Sequence, residues 1–133
     1  MLKKNRYTLL FISWVLFLTT LSLFSFSDLD TGTFQIPYAD KITHFGFYFI
    51  FVVLAALVFR ERTQGNMPLK KVLVWAPLAA IFYGILIEGL QHTVTEDRMA
   101  EWGDVLANTI GAFAGVILIK WYFSKERPLK WKF

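Results

Sequence analysis

The sequence contains no cysteine. This absence excludes disulfide bonds, thiolate metal sites and cysteine nucleophiles. Charged residues are also scarce: they make up 18% of the 133 residues, whereas a soluble globular domain has about 25%. Phosphate-binding glycine loops, the Gly-x-Ser-x-Gly nucleophile motif and the His-Glu-x-x-His zinc motif are missing as well. The chain therefore lacks the common sequence signatures of soluble enzymes.

Hydrophobic residues are abundant instead, at 56% of the chain with a mean hydropathy of +0.47. They are concentrated in four runs, at about residues 7–26, 42–59, 69–90 and 102–123. A run of about 20 apolar residues is long enough to cross the hydrocarbon core of a bilayer. These runs lack the alternating pattern of a β-barrel, so they are expected to be helices. We predict a single domain over residues 1–133, an all-α integral membrane four-helix bundle in which consecutive helices are antiparallel neighbours.

The basic residues predict the orientation of these spans. Lys41 and Arg98 flank the runs on one side, and the other basic residues flank them on the opposite side. These are Lys3, Lys4, Arg6, Arg60, Arg62, Lys70, Lys71, Lys120, Lys125, Arg127, Lys130 and Lys132. Cytoplasmic loops carry an excess of lysine and arginine, so both termini are expected in the cytoplasm. A cleavable signal peptide is the alternative for the first run, which is however longer than the roughly 7–15 apolar residues of such a peptide.

Polar residues occur in three stretches next to the spans, all on the predicted outer side. An ionisable side chain within a membrane usually faces the bundle interior or a water-filled cavity, and each stretch lies on one helical face. We therefore predict a polar pocket at the outer end of the bundle. Its candidate ligand-binding residues are Asp40, Lys41, His44, Glu88, Gln91, Arg98, Asp104 and Asn108; His92 ends the third span beside them.

Simpler roles exist for several of these residues. Asp40 and Asp104 are also suited to capping the helices that they begin, and Asn108 to an interhelical hydrogen bond. Glu88 is the hardest to explain this way, because the helix dipole disfavours a negative charge at a helix C-terminus. Further along the face of Asp104, the sequence GAFAG at 111–115 is a Gly-x-x-x-Gly motif, which is typical of closely packed helices.

The order of the polar residues resembles that of the VanZ-like family. The patterns are Asp-Lys-x-x-His at Asp40, Gly-x-x-x-Glu-x-x-Gln at Gly84, a single arginine at Arg98, and Asp-x-x-x-Asn-x-x-Gly at Asp104. Together they extend over about residues 38–120. The family is named for an accessory membrane protein linked to teicoplanin resistance. The resemblance implies a multipass protein of the bacterial inner membrane with a role in the cell envelope and in glycopeptide tolerance, and it implies no defined reaction.

Three functions are consistent with these residues. The first is recognition of a lipid-linked or cell-wall precursor headgroup, in which Lys41 and Arg98 contact phosphate or carboxylate groups. The second is an intramembrane hydrolase or transferase with His44, Asp40 and Glu88 as the candidate catalytic residues. No activated serine or threonine nucleophile is evident for it. The third is a purely structural bundle whose polar residues form a salt-bridge network.

The expected partners are the lipid bilayer and the precursor headgroup. No nucleic acid is expected, because the basic residues lie beside the membrane spans. We predict no cofactor and no metal. An alternative places a divalent cation among Asp40, His44, Glu88 and Asp104, since oxygen and imidazole ligands suit several metals. The sequence does not determine the oligomeric state.

Overall fold

The computed structural model of the chain describes residues 5–23, 39–94 and 102–124. It contains four helices, α1 (Arg6–Leu23), α2 (Ala39–Thr63), α3 (Leu69–Val94) and α4 (Trp102–Ser124), and no strand within these ranges. Each helix includes a segment that is long and apolar enough to cross a membrane. The predicted all-α fold with four potential membrane spans is confirmed.

Helix α2 is longer than the apolar run that predicted it. It begins at Ala39 and ends at Thr63, so the helix extends beyond the apolar run at both ends. Its C-terminus is closed by a turn in which the amide of Gly65 donates to the carbonyl of Arg60 at 2.9 Å. Gln64 and Gly65 have positive φ angles of 52° and 77°, as expected for such a helix end. The short connection to α3 therefore reverses the chain direction within a few residues.

Helix α2 is the central helix of the bundle. It packs against α1, α3 and α4, and Ile42 is its one large hydrophobic residue with high exposure in the described ranges. The other three helices each expose several large apolar side chains, for example Leu16, Phe82 and Ile117. On a soluble protein such surfaces would promote association; here they are suited to contact with lipid.

The closest packing is between α2 and α4, and it depends on two glycines. A Cβ atom on Gly115 would lie 2.9 Å from the carbonyl oxygen of Phe49, and one on Gly111 would lie 2.9 Å from the carbonyl carbon of Phe45. Real Cβ atoms do not approach other atoms so closely. The GAFAG motif therefore brings the backbone of α4 directly onto that of α2, as small residues do in membrane helix pairs.

Helix α1 is mostly exposed and is attached to the bundle by a few polar and aromatic contacts. The indole nitrogen of Trp14 donates to the carbonyl of Phe47 at 3.1 Å. The hydroxyl of Thr19 shares a hydrogen bond with that of Tyr83 on α3. The ring of Phe11 packs edge-on against that of Phe51, with centroids 5.0 Å apart. These contacts lie along one face of α1, and its other faces remain available to lipid.

The N-terminus of α1 is capped by a residue from α2. The carboxylate of Glu61 accepts hydrogen bonds from the amides of Tyr7 and Thr8, at 2.9 and 3.1 Å, and from the hydroxyl of Thr8 at 2.6 Å. The first amides of a helix have no partner within the helix, and a negative charge there is favourable. We call this end of the bundle, where α1 and α3 begin and α2 and α4 end, the basic end, because Arg60, Arg62, Lys70 and Lys71 lie there.

We expect Glu61→Ala to lower the free energy of unfolding by about 1–2 kcal/mol, in line with the loss of a helix N-cap. The measurement is reversible unfolding by dodecyl sulfate in mixed micelles. Arg62→Ala is the matched control, because Arg62 is the exposed neighbour of Glu61, and it should change stability by less than about 0.5 kcal/mol. Equal effects of the two substitutions would show that the cap contributes nothing.

Candidate functional site

All the buried polar residues of the described chain lie at the end opposite the basic end. They are Ser22, His44, Glu88, Gln91, Asp104 and Asn108. The exposed fractions of the central four are 5% for His44, 6% for Glu88, 6% for Asp104 and 3% for Asn108. Burying so many polar groups is costly unless they are paired with one another or with a ligand. We call Lys41, His44, Glu88, Asp104 and Asn108 the polar cluster.

Helix α3 brings Glu88 into the polar cluster along a stripe of small residues. Ala76, Ala80, Gly84 and Glu88 follow one another at intervals of four and thus share a face of the helix. The two alanines are buried in the core. A Cβ atom on Gly84 would lie 3.1 Å from Nδ2 of Asn108 and 3.2 Å from the ring of Tyr48. The absence of a side chain at Gly84 therefore lets α3 approach the polar faces of α2 and α4.

Asp104 lies at the centre of the cluster and has two basic neighbours. Its Oδ1 accepts a hydrogen bond from Nζ of Lys41 at 2.7 Å, and its Oδ2 lies 3.7 Å from Nε2 of His44. The first distance is that of a charge-assisted hydrogen bond, and the second is too long for a direct one. The aliphatic chain of Lys41 crosses Gly103, where a Cβ atom would lie 2.9 Å from Cε of the lysine. A side chain at Gly103 would therefore require the end of the Lys41 side chain to move.

His44 is oriented by Asn108. Nδ1 of His44 and Oδ1 of Asn108 are 2.9 Å apart. An amide oxygen only accepts hydrogen bonds, so Nδ1 carries the proton and donates it. The other ring nitrogen, Nε2, then points towards the carboxylates. Ligand atoms of His44, Glu88 and Asp104 all lie within 4.8 Å of one another. One imidazole and two carboxylates from three different helices thus surround a common point.

Gln91 makes a contact of a different kind. Its Nε2 donates to the carbonyl oxygen of Ser22 at 2.5 Å. The last carbonyls of a helix lack partners within the helix, so this bond satisfies one of them and joins the ends of α3 and α1. Gln91 therefore has a structural role at this end of the bundle.

Comparison with known proteins identifies the family of this chain. The VanZ/LLP1 family model matches residues 2–123. The chain belongs to the VanZ/LLP1 family. The resemblance seen in the sequence is confirmed, and the name of the family implies a connection with antibiotic resistance. No match was found among curated proteins or among solved structures.

The structure of this VanZ/LLP1 protein brings together five of the predicted site residues, namely those of the polar cluster. Arg98 and the side chains of Asp40 and His92 lie outside the part of the chain that the structure describes. The pairing of Asp40 with His44 stays a prediction. In the described ranges, His44 forms a hydrogen bond with Asn108 and lies 3.7 Å from Asp104.

Tyr48 borders the polar cluster in this VanZ/LLP1 protein, although the sequence did not predict it as a site residue. Tyr48 is 1% exposed and packs against Gly84, one turn below His44. The signal was its spacing of four residues from His44, which places both on one helical face. It was overlooked because an aromatic residue within an apolar run is most simply a core residue. Here its ring packs against Gly84 beside the polar cluster, on the side facing the hydrophobic core.

Proposed function

We propose that this VanZ/LLP1 protein recognises the charged headgroup of a lipid-linked cell-wall precursor through its polar cluster. The observation that carries the proposal is the position of Lys41. Its side chain is 33% exposed while its ammonium group is bound to the buried carboxylate of Asp104. The ammonium group is thus held in a defined place with part of the side chain accessible from outside the bundle.

A phosphate or diphosphate group is the chemistry that fits this arrangement. An ammonium group forms short charge-assisted hydrogen bonds to phosphate oxygens. Asp104 holds the ammonium group of Lys41 in place, so little conformational freedom of the lysine remains to be lost on binding. Arg98, in the segment between α3 and α4, is the expected second cation. A membrane-embedded lipid would present its headgroup at the same depth as this end of the bundle.

The orientation of the chain supports the same proposal. In the described ranges, every lysine and arginine except Lys41 lies towards the basic end, and the positive-inside rule therefore favours an orientation with this end and both termini in the cytoplasm. The polar cluster then lies at the outer face of the bacterial inner membrane. Binding of the precursor headgroup at this face would agree with the connection to antibiotic resistance that the family name implies.

The test is lipid binding by the protein in nanodiscs, measured by native mass spectrometry. The probes are a polyprenyl diphosphate lipid and, as the anionic control, phosphatidylglycerol. Wild type is expected to prefer the diphosphate lipid. Lys41→Met should weaken this binding at least tenfold, because a hydrogen bond to a charged group contributes about 1.5–3 kcal/mol. Lys70→Met, an exposed lysine at the basic end, is the matched control and should bind as wild type does.

Two results would contradict the proposal. One is equal retention of both lipids by wild type, and the other is unchanged diphosphate binding by Lys41→Met. The double variant Lys41→Met/Asp104→Asn separates binding from folding. It removes both charges of the salt bridge, so that no buried carboxylate of Asp104 is left without its lysine. It should remain folded and still bind the diphosphate lipid as weakly as the single variant.

A further inference from the structure

We infer that His44, Glu88 and Asp104 form a binding site for one divalent transition-metal cation such as Zn²⁺ or Mn²⁺. This inference goes beyond headgroup recognition and does not depend on it. It also departs from the expectation, drawn from the sequence, that the protein binds no metal. The following observations concern the described residues of the polar cluster.

The geometry of the three side chains is close to that of a metal site. Their ligand atoms all lie within 4.8 Å of one another. In a four-coordinate zinc site with bonds of about 2.0–2.2 Å, neighbouring ligand atoms are about 3.3–3.6 Å apart. Movements of about 1 Å at the ends of the side chains would bring the three atoms to these distances. The three ligands come from α2, α3 and α4, so a bound cation would join three helices.

The charges favour a cation at this point. The described part of the cluster holds two carboxylates, Glu88 and Asp104, and one lysine, Lys41. Ionised groups in an apolar interior are generally paired or coordinate a metal. A divalent cation at this point would attract both carboxylates.

Asn108 prepares His44 for coordination. Histidines that bind metals generally donate the N–H of the other ring nitrogen to an oxygen acceptor, which fixes the orientation of the ring. Here Nδ1 of His44 donates to Oδ1 of Asn108 at 2.9 Å. Nε2 is then directed at Oδ2 of Asp104, 3.7 Å away. This separation is too long for a hydrogen bond and is slightly longer than the distance between two ligand atoms of one zinc ion.

Lys41 assigns different roles to the two oxygens of Asp104. Oδ1 is bound to Nζ of Lys41 at 2.7 Å, and Oδ2 is the oxygen nearer to His44. Asp104 would therefore bind the cation through one oxygen. An imidazole with carboxylates suits Zn²⁺ and Mn²⁺, whereas Mg²⁺ prefers six oxygen ligands. Mg²⁺ is for this reason a suitable control cation.

The first experiment measures the metal content of the protein. Full-length protein purified through a tag without histidines is treated with chelator, equilibrated with Zn²⁺ or Mn²⁺, and analysed for bound metal over a concentration series. Wild type should bind one equivalent of at least one of the two cations, and Mg²⁺ should not displace it. Glu88→Gln and His44→Gln should each weaken binding at least tenfold. Glu61→Gln is the matched control, because Glu61 is a carboxylate at the basic end of the bundle, and it should bind as wild type does.

The second experiment separates loss of the site from loss of the fold. For the wild-type protein, the midpoint of thermal unfolding should be higher with the cation present than with chelator present. Asn108→Leu keeps all three ligands and should weaken binding about 10- to 100-fold, as loss of an orienting partner does. Binding that is equal in wild type and Glu88→Gln, or absent in wild type, overturns the inference. Lys41→Met tests the headgroup proposal separately, because the lysine is not a ligand of the cation.

Discussion

Gly111→Ala is expected to lower the free energy of unfolding by about 3 kcal/mol. Overpacking commonly costs about 1–3 kcal/mol, and this position lies at the upper end because the obstacle is backbone. The added Cβ atom would lie 2.9 Å from the carbonyl carbon of Phe45, which cannot rotate away as a side chain can. The two helices must separate instead. Their separation would also lengthen the hydrogen bond between His44 and Asn108.

The measurement is unfolding by dodecyl sulfate, with Gly46→Ala as the matched control. Gly46 is also within a membrane helix, and a Cβ atom there would meet nothing within 4 Å. Its substitution should change stability by less than about 0.5 kcal/mol. Gly115→Ala should fall between the two, because its closest obstacles include the movable side chain of Val52. Equal stabilities of the Gly46 and Gly111 variants would mean that α2 and α4 are not in close contact.

The second large effect concerns the salt bridge between Lys41 and Asp104. Lys41→Met should lower the free energy of unfolding by about 2–3 kcal/mol, because it leaves the buried carboxylate without its ammonium partner. Removal of one member of a fully buried pair costs about 3–5 kcal/mol. The smaller value is expected here because the lysine side chain is 33% exposed and water can reach part of the pair. Lys70→Met, at the basic end, should have little effect.

A double-mutant cycle distinguishes this explanation from a general loss of packing. Asp104→Asn alone should cost about 2 kcal/mol, and Lys41→Met/Asp104→Asn should be less destabilised than the sum of the single variants by more than about 2 kcal/mol, so that it is more stable than Lys41→Met alone. Strict additivity would show that the two side chains do not interact. The cycle also tests the purely structural hypothesis: if the cluster only stabilises the bundle, lipid binding should recover in the double variant along with folding.

The secondary structure of this protein follows from local features of its sequence. Each of the four helices overlaps one of the four apolar runs, because a helix is the structure that satisfies the backbone within hydrocarbon. The family is likewise recognisable from the order of its polar residues along the chain, for example Asp104 and Asn108, four positions apart on one helical face. The convergence of the three polar stretches was expected on one assumption, namely that ionisable side chains face the interior of the bundle.

Other features depended on distances between helices, which no local pattern contains. The closest pair, α2 and α4, is not consecutive in the chain, and it forms because Gly111 and Gly115 face the backbone of α2. The partner of His44 could not be chosen from sequence among several polar residues. Nor could the bond of Gln91 to the carbonyl of Ser22 be foreseen, since a main-chain carbonyl leaves no trace in the residue type.

Composition and periodicity thus determined by themselves that the chain forms four apolar helices and which of their faces are polar, because both properties depend on residues a few positions apart. The tertiary structure decided which atoms meet on those faces. The rotation and spacing of packed helices are set by glycines and side-chain shapes on several segments at once, and a single helix does not contain that information.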